Sequence, residues 1–203
     1  MRTKQILEKY SKEIIANGKI LDIGFGDGNN VIWLAEQGFE VTAIDKNREV
    51  FDNFKKIILQ LDSKLKIKLE NKNIKKFEMP PNYYNAVVAF NSLIFLKKSE
   101  FLEIIDQIKN RLTYSGIIFL SLFTEEDSSY FSFTKNKKPI ENNTFFNEKT
   151  DEYWQFMKKG ELKKLFSDFK TLFYKEEIIH DKLPIPHNHG IVFYIGKKKA
   201  RNN

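Results

Sequence analysis

Apolar residues follow two alternating patterns along this chain: short unbroken runs, and stretches with a helical period. Runs typical of buried strands occupy residues 19–24, 40–45, 66–72, 84–90 and 116–123. Residues 29–38, 47–62 and 99–112 place apolar side chains at the spacing of amphipathic helices. Helices that separate buried strands serve as crossovers between parallel strands. The pattern therefore predicts an α/β fold with a mostly parallel sheet.

The two ends of the chain extend this prediction. Residues 3–16 have helical spacing, so we expect an N-terminal capping helix within residues 1–18. Residues 159–167 have a helical pattern, and residues 170–180 and 190–198 predict a final antiparallel strand pair. With no sign of a second core, we expect a single domain over residues 1–203.

Residues 124–158 fit neither pattern, because they mix polar and aromatic side chains without a clear period. A segment of this length inside a compact domain is typically a functional lid or a mobile loop. Two interpretations of its aromatic side chains stay open, an apolar lid over a small substrate and simple packing within a long loop. They are Tyr130, Phe131, Phe133, Phe145, Phe146, Tyr153 and Trp154.

The composition excludes several kinds of chemistry. The chain has no cysteine, so it has no disulfide, no thiolate metal ligand and no cysteine nucleophile. Its apolar runs are of strand length, which is too short for a membrane span. We therefore expect a soluble, cytoplasmic protein without a membrane partner.

The net charge of +7 comes from 34 basic and 27 acidic side chains. An excess of this kind favours weak, salt-sensitive attraction to polyanions. Because the lysines are scattered, we favour solubility or compositional bias as its origin. Nucleic acid is kept as an alternative partner.

Three glycines, Gly24, Gly26 and Gly28, follow the first predicted strand directly. Ligands of an open α/β sheet bind beyond the carboxyl ends of its strands, so this turn is a candidate site where bare backbone can approach a ligand closely. The fingerprint for a dinucleotide requires a further glycine at position 29, where this chain has Asn29. A tight turn with a purely structural role is the alternative.

Acidic residues around this turn point to the charge of the ligand. Asp22 and Asp27 would oppose a pyrophosphate at a helix N-terminus, but they would tolerate a cation. S-adenosylmethionine carries an ammonium and a sulfonium and lacks phosphate, so it suits the turn better than NAD or ATP. Asp45 ends the second strand, where a carboxylate can accept hydrogen bonds from both ribose hydroxyls. A role as a helix N-cap is the alternative for Asp45, and both roles can coexist.

At these residues the sequence resembles the class I S-adenosylmethionine-dependent methyltransferases, through "LDIGFGDG" and "VTAID". The resemblance implies a single Rossmann-like, doubly wound seven-stranded sheet of order 3-2-1-4-5-7-6, mostly parallel with the last strand antiparallel. Within that family, residues 22–47, "FMKKGELKKLFSDF" and the histidine-bearing end are similar to the tellurite-resistance methyltransferases. Residues 124–150 have no counterpart in that pattern.

The resemblance also implies roles for individual residues. The methionine part of the cofactor would border the first strand and its turn, Asp45 would bind the ribose, and Lys46 would flank the adenine. Asn73 and Ile74 would also contact the adenine, although many relatives carry an acidic residue at the position of Asn73. Phe90 and Asn91 would lie near the methyl group. The residues of the first strand and turn are Asp22, Gly24, Phe25, Gly26 and Gly28.

The three histidines, His180, His187 and His189, are the candidate catalytic bases. His180 matches the histidine that the tellurite-type enzymes place near the substrate. Their pattern continues with an arginine where this chain has Asp181, which speaks against recognition of an oxyanion. His187 and His189 have the spacing of a metal pair, but no acid or thiol completes such a site, so we predict no metal. Ordinary loop histidines are the alternative.

These observations predict an S-adenosylmethionine-dependent methyltransferase that acts on a small-molecule acceptor. The resemblance favours a tellurite- or selenite-like acceptor or another heteroatom nucleophile. The sequence lacks the motif of adenine-N6 enzymes after the fourth strand and the cysteine of cytosine-C5 enzymes. An RNA or protein methyltransferase and a non-catalytic cofactor-binding module are the alternatives, and Asn29 disfavours an NAD enzyme.

Overall fold

A computed structural model describes residues 3–181 and 187–200 of the chain, without the side chain of Asp181. Six α-helices lie in this part of the chain: α1 (Thr3–Tyr10), α2 (Asn29–Glu36), α3 (Arg48–Ile58), α4 (Lys98–Arg111), α5 (Ser128–Asn136) and α6 (Glu161–Leu165). Its nine strands are β1 (Lys19–Ile23), β2 (Glu40–Asp45), β3 (Ile67–Asn71), β4 (Tyr84–Phe90), β5 (Leu112–Phe123), β6 (Thr144–Asn147), β7 (Glu152–Gln155), β8 (Phe169–Asp181) and β9 (His187–Lys198).

Seven of these strands form one sheet in the order β3-β2-β1-β4-β5-β9-β8. The neighbours from β3 to β5 pair in parallel. β9 lies between β5 and β8 and is antiparallel to both. When the separate β6–β7 hairpin is left out of the count, this is the predicted order 3-2-1-4-5-7-6 with the last strand antiparallel. The predicted fold class is confirmed.

The apolar runs become strands because their side chains are buried on the sheet. β1, β2, β4 and β5 consist almost entirely of buried residues, as central strands of a parallel sheet do. The amphipathic α4 contributes Phe101, Ile104 and Ile108 to the same core. The core therefore holds the carboxyl ends of β1, β2 and β4 side by side, and this edge carries the site described below.

The segment from 124 to 158 has more regular structure than its sequence predicts, since it contains α5 and the β6–β7 hairpin. The side chain of Asp127 caps α5 by accepting a hydrogen bond from Ser129 N at 2.8 Å. α5 buries none of its residues fully, so it lacks the apolar stripe that reveals a helix in sequence. The hairpin strands have four residues each, too few to show a period.

Two helices begin at residues that the sequence pattern does not mark. α4 begins at Lys98, one residue before the predicted range, and Ser99 N and Oγ donate to the Glu141 carboxylate. The N-cap of α3 is Asn47, whose side chain accepts from Glu49 N and Val50 N, and not Asp45. Short polar residues are interchangeable as caps in sequence, and only the local backbone decides between neighbours. Within residues 3–181 and 187–200, no helix has both the length and the apolar character needed to cross a bilayer.

Candidate functional site

A cavity of about 510 Å³ lies at the carboxyl ends of β1 to β4. It is lined by the turn after β1, by residues 45–47 after β2, by residues 72–75 after β3 and by residues 90–93 after β4. Residues 151–153 of the β6–β7 hairpin line it from the opposite side. This is the position at which open α/β sheets bind their ligands, because the strand order reverses between β1 and β4.

The three glycines of the turn all have left-handed backbone, with φ of +71° at Gly24, +57° at Gly26 and +77° at Gly28. A Cβ added at Gly24 would lie 2.4 Å from Ser92 Cβ, and one at Gly28 would lie 2.0 Å from the Phe54 ring. A Cβ at Gly26 would meet nothing within 4 Å. Packing within the protein therefore explains Gly24 and Gly28, whereas Gly26 presents bare backbone to the cavity.

The Asp45 carboxylate lies at the mouth of this turn and lines the cavity. Its Oδ1 accepts a hydrogen bond from Asn47 N at 2.8 Å, and its Oδ2 accepts a long one from Gly26 N at 3.4 Å. Asn71 Nδ2 donates to the backbone oxygen of Asp45 at 2.8 Å, which holds the end of β2 against β3. Each oxygen accepts one hydrogen bond and has capacity for another, as binding of a diol requires.

Two polar atoms beneath the turn are buried without a hydrogen-bond partner, Asp22 Oδ2 and Ser92 Oγ. Asp22 is 3% exposed. Burial, with the nearby charges of Asp45 and Asp27, raises the pKa of the Asp22 carboxyl to about 7. A buried polar group without a partner is destabilising and usually has a functional reason. A cationic ligand in the cavity would find Ser92 Oγ in the lining and the acidic Asp22 side chain behind it.

The remaining residues predicted to bind the cofactor divide into two groups. Lys46, Asn73, Ile74, Phe90 and Asn91 line the cavity together with Gly24, Gly26 and Asp45. Asp22, Phe25 and Gly28 lie behind this lining, and the buried Phe25 ring packs on Phe54 with centroids 5.0 Å apart. For the residues that line the cavity, direct contact with the cofactor stays a prediction that the geometry favours. The residues behind the lining support the turn.

Asn91 occupies a strained position directly after β4, with φ of +52°. Its backbone N donates to Ser121 O at 3.0 Å, and its Oδ1 accepts from Ser121 Oγ at 2.7 Å. These bonds hold the Asn91 side chain between β4 and β5. Strain of this kind is concentrated at functional sites, and the predicted position of Asn91 near the methyl group stays a prediction.

The β6–β7 hairpin closes the cavity through three contacts that the sequence did not predict. Lys46 Nζ forms an ion pair with Glu152 Oε1 at 2.7 Å. The Lys97 ammonium lies over the Tyr153 ring, 4.9 Å from its centroid. Gln155 Nε2 donates to Leu93 O at 2.7 Å. No local motif marks Glu152 or Gln155, because their partners are far away in sequence.

The aromatic side chains of this segment mostly pack on one another. The Phe133 and Phe145 rings are stacked with centroids 5.4 Å apart, and Phe145 and Phe156 are buried. Trp154 contacts Phe95, a residue of the cavity wall, with centroids 5.8 Å apart. Its buried Nε1 has no hydrogen-bond partner. Most of these rings therefore pack within the segment, as one interpretation of the sequence predicted. Trp154 packs against the cavity wall, which is in line with the other interpretation, an apolar lid.

The three predicted catalytic histidines do not line the cavity. His180 is exposed, and its Nδ1 lies 2.6 Å from Asn188 Oδ1. His187 Nε2 and His189 Nε2 lie 2.8 Å apart, and His189 Nδ1 lies 3.0 Å from Asp127 Oδ2. The structure therefore brings His187 and His189 together but not His180, and their catalytic roles stay predictions.

Asp127 is the residue of this cluster that sequence reasoning missed. The prediction that involves the side chain of Asp181 lies outside the described residues. Across residues 3–181 and 187–200, no group of three or more His, Asp or Glu side chains has an arrangement suited to a metal ion.

Comparison with known proteins yields one family and many similar folds. The family model described as tellurite resistance protein TehB matches residues 4–183. None of the curated proteins compared matches the chain.

A methyltransferase structure from Methanosarcina mazei, described as S-adenosylmethionine-dependent, superposes with a TM-score of 0.75 at 19% identity, covering 97% of this chain and 98% of that one. TehB from Haemophilus influenzae gives a TM-score of 0.69 at 18% identity, covering 97% of this chain and 62% of that one.

A third structure is the 1,6-didemethyltoxoflavin-N1-methyltransferase of Burkholderia thailandensis, which holds 1,6-didemethyltoxoflavin and S-adenosylhomocysteine. It gives a TM-score of 0.68 at 14% identity, covering 97% of this chain and 76% of that one. At these identities the likeness establishes a shared fold, the Rossmann-like fold of methyltransferases.

Proposed function

This chain belongs to the tellurite resistance protein TehB family, and from that premise we propose that it is an S-adenosylmethionine-dependent methyltransferase acting on a small-molecule acceptor. The observation that carries the proposal is the acidic, glycine-rich cavity at the switch point of the sheet. The family, the shared fold and the cavity support it independently. A cytoplasmic location is part of the proposal, and microscopy of a tagged protein tests it.

The residues around the cavity fit this cofactor. Ser92 lines the cavity and its Oγ has no hydrogen-bond partner, so it would accept from the ammonium of the methionine part, with the acidic Asp22 side chain behind it. Gly26 offers open backbone, and the Asp45 carboxylate faces the cavity where it would hold the ribose. Ile74 offers an apolar surface for the adenine. When bound, the cofactor supplies a methyl group on a positively charged sulfur.

The protein's own contribution would be binding, alignment and exclusion of water. Methyl transfer from a sulfonium disperses charge, so water would stabilise the starting cation more than the transition state. The hairpin residues Glu152 and Tyr153 cover the cavity, and their contacts with Lys46 and Lys97 hold the cover in place. The protein would further accelerate the transfer by aligning the acceptor with the methyl carbon.

The TehB family description favours a tellurite- or selenite-like acceptor, or another heteroatom nucleophile. A small acceptor also suits a cavity of about 510 Å³ whose far side is lined by the hairpin. A tellurite-resistance phenotype is the corresponding expectation for cells that express the protein.

Two measurements test the proposal. Calorimetric titration should show that S-adenosylmethionine binds, and that Asp45→Ala weakens binding. Asp52→Ala is the matched control, because this carboxylate on α3 pairs with Arg48 at 2.9 Å and does not line the cavity. A screen with labelled cofactor should then detect methyl transfer among oxyanions, thiols, thiopurines and RNA. Cofactor binding without transfer to any acceptor would favour a non-catalytic binding module.

The net charge of +7 favours one alternative, an RNA or protein methyltransferase. Binding to RNA with a steep dependence on salt would support the RNA form of this alternative. Labelled protein substrates in the same screen test the protein form.

A further inference from the structure

A buried carboxylate defines the proton positions in the histidine cluster. Asp127 is 0% exposed, and its Oδ2 lies 3.0 Å from His189 Nδ1. Because an ionised carboxylate only accepts hydrogen bonds, His189 must donate from Nδ1. In the neutral ring its lone pair is then on Nε2, where it accepts from His187 Nε2 at 2.8 Å. Asp127 thus makes His189 Nε2 a proton acceptor.

Close packing of backbone holds the loop that carries Asp127 against the start of β9, which carries His187 and His189. A Cβ added at Gly190 would lie 2.5 Å from Asp127 N, so only glycine lets β9 approach the loop after β5. Asp127 is held further because its Oδ1 caps α5 through Ser129 N. The carboxylate therefore has a fixed position relative to His189.

A chain of rings connects His189 to the cavity. Its ring is stacked on Phe123 with centroids 5.2 Å apart, and Phe123 contacts Trp154 at 5.9 Å. Trp154 in turn contacts Phe95 of the cavity wall at 5.8 Å. The buried Trp154 Nε1–H has no acceptor. A buried donor without a partner usually has a functional reason.

On the basis of the proposed function, we propose that the acceptor is a small protic molecule, a thiol, hydroxyl or amine, whose proton is taken by His189 Nε2. Asp127 is the positioning residue that holds the proton of the neutral ring on Nδ1 and so leaves the lone pair on Nε2. The bound acceptor's X–H would replace the His187 N–H as donor to that lone pair.

The step balances as follows: X forms a bond to the methyl carbon, the electron pair of the broken C–S bond stays on sulfur, and the proton of X goes to His189. The resulting imidazolium is stabilised by the Asp127 carboxylate. A base accelerates only an acceptor that still carries its proton, whereas an oxyanion already has a free lone pair. This inference therefore separates a protic acceptor from the oxyanion that the family description suggests.

Nuclear magnetic resonance tests the proton positions without any acceptor. The chain has three histidines, so substitution of each one assigns all ring signals. In the full chain saturated with S-adenosylhomocysteine, ¹H–¹⁵N spectra should show His189 protonated on Nδ1. Asp127→Asn should remove this preference, because an amide can also donate. A wild-type His189 that carries its proton only on Nε2 overturns the proposal.

Kinetics test the acceptor class with 2-mercaptoethanol, phenol, aniline and tellurite as probes. Asp127→Asn should lower kcat for a protic probe about 100-fold and move the pH profile, with little change in KM for the cofactor. Asn retains the helix cap, so loss of α5 does not explain such a result. Asp127→Glu should restore part of the rate. Asp168→Asn is the control, because it removes a carboxylate paired with Lys109 near the opposite end of the β8–β9 pair.

Three outcomes count against the proposal. No transfer to any of the three protic probes overturns it, whether or not tellurite is methylated. An equal loss for tellurite and a protic probe in Asp127→Asn reduces Asp127 to a structural role. An unchanged pH profile has the same meaning. If wild-type protein does not bind S-adenosylmethionine at all, the proposed methyltransferase function itself fails.

Discussion

The two sides of the cavity differ in how their parts are held. On the side of β1, backbone turns are locked by packing, since Gly24 lies against Ser92 and Gly28 against the buried Phe54. On the side of the hairpin, exposed groups provide much of the attachment, among them the Lys46–Glu152 ion pair. Exposed ion pairs contribute little to stability, whereas overpacked backbone is costly. The first side is therefore fixed by packing, whereas the second is held in part by an ion pair that contributes little to stability.

The largest effect expected at a fixed pH concerns the packed glycine. Gly28→Ala should destabilise the protein by about 3 kcal/mol, because the new Cβ meets the Phe54 ring and φ is positive. Gly26→Ala has the same backbone strain without the clash, so it should cost about 1 kcal/mol. Urea unfolding measures both. Equal losses for the two variants would remove the distinction between locked and open parts of the turn.

Cofactor binding should show the opposite order, with a larger loss of affinity in Gly26→Ala than in Gly28→Ala. Gly26→Ala places a methyl group where open backbone faces the cavity, so it should weaken S-adenosylmethionine binding more than its effect on stability suggests. Calorimetry on folded Gly26→Ala protein provides the measurement. Wild-type affinity in this variant would show that the ligand does not approach the turn.

The next effect is a dependence of stability on pH caused by Asp22. Burial raises the pKa of this carboxyl to about 7 in the folded protein, from an ordinary value near 3.8. Between these values the folded state binds more protons than the unfolded state, so stability falls as pH rises from about 4 to about 7. The loss from this group should be on the order of 4 kcal/mol and should level off above pH 7.

Asp22→Asn isolates this contribution, since the amide has the same shape and does not titrate. Unfolding of wild type and variant at pH 5 and pH 8 should show the difference in slope. A bound cation would favour the ionised carboxylate, so S-adenosylmethionine should reduce the slope in wild type. Identical slopes for the two proteins would mean that Asp22 does not titrate in this range.

Loss of the Asp45 carboxylate should have an intermediate effect that is confined to binding. Asp45→Ala should weaken S-adenosylmethionine binding about 30-fold, because two hydrogen bonds to a charged group are removed. Its effect on stability should be small, since Asn47 and not Asp45 caps α3. A larger loss of stability than of affinity would make the carboxylate a structural element.

The smallest effect is expected on the hairpin side. The Lys46–Glu152 side chains are 48% and 26% exposed, so a double-mutant cycle with alanine should give less than about 1 kcal/mol of coupling. Release of cofactor should nevertheless become several-fold faster in Glu152→Ala if the hairpin covers the cavity, because this variant frees the hairpin and leaves Lys46 in place. Stopped-flow dissociation measures that rate. Unchanged release would mean that the hairpin does not control access.

The residues that line the cavity separate into those that local patterns predicted and those that they did not. Gly24, Gly26 and Asp45 were predictable, because the glycines lie in the turn after a buried strand and Asp45 ends the next one. Glu152 and Tyr153 were not, because their role depends on Lys46 and Lys97, which lie far away in sequence. Asp127 was missed for the same reason, since its partner His189 lies on β9.

The order of apolar runs and helices by itself determined the α/β fold, and the resemblance supplied the strand order that was confirmed. Glycines and acids next to strand ends determined which edge of the sheet carries the site. Only the tertiary structure decided that Gly28 serves packing while Gly26 faces the cavity, that 124–158 holds a helix and a hairpin, and that His189 rather than His180 meets a buried carboxylate. The physical reason is distance along the chain: periodicity and turn chemistry are local, whereas a lid contact or an oriented histidine arises between segments that only the folded sheet brings together.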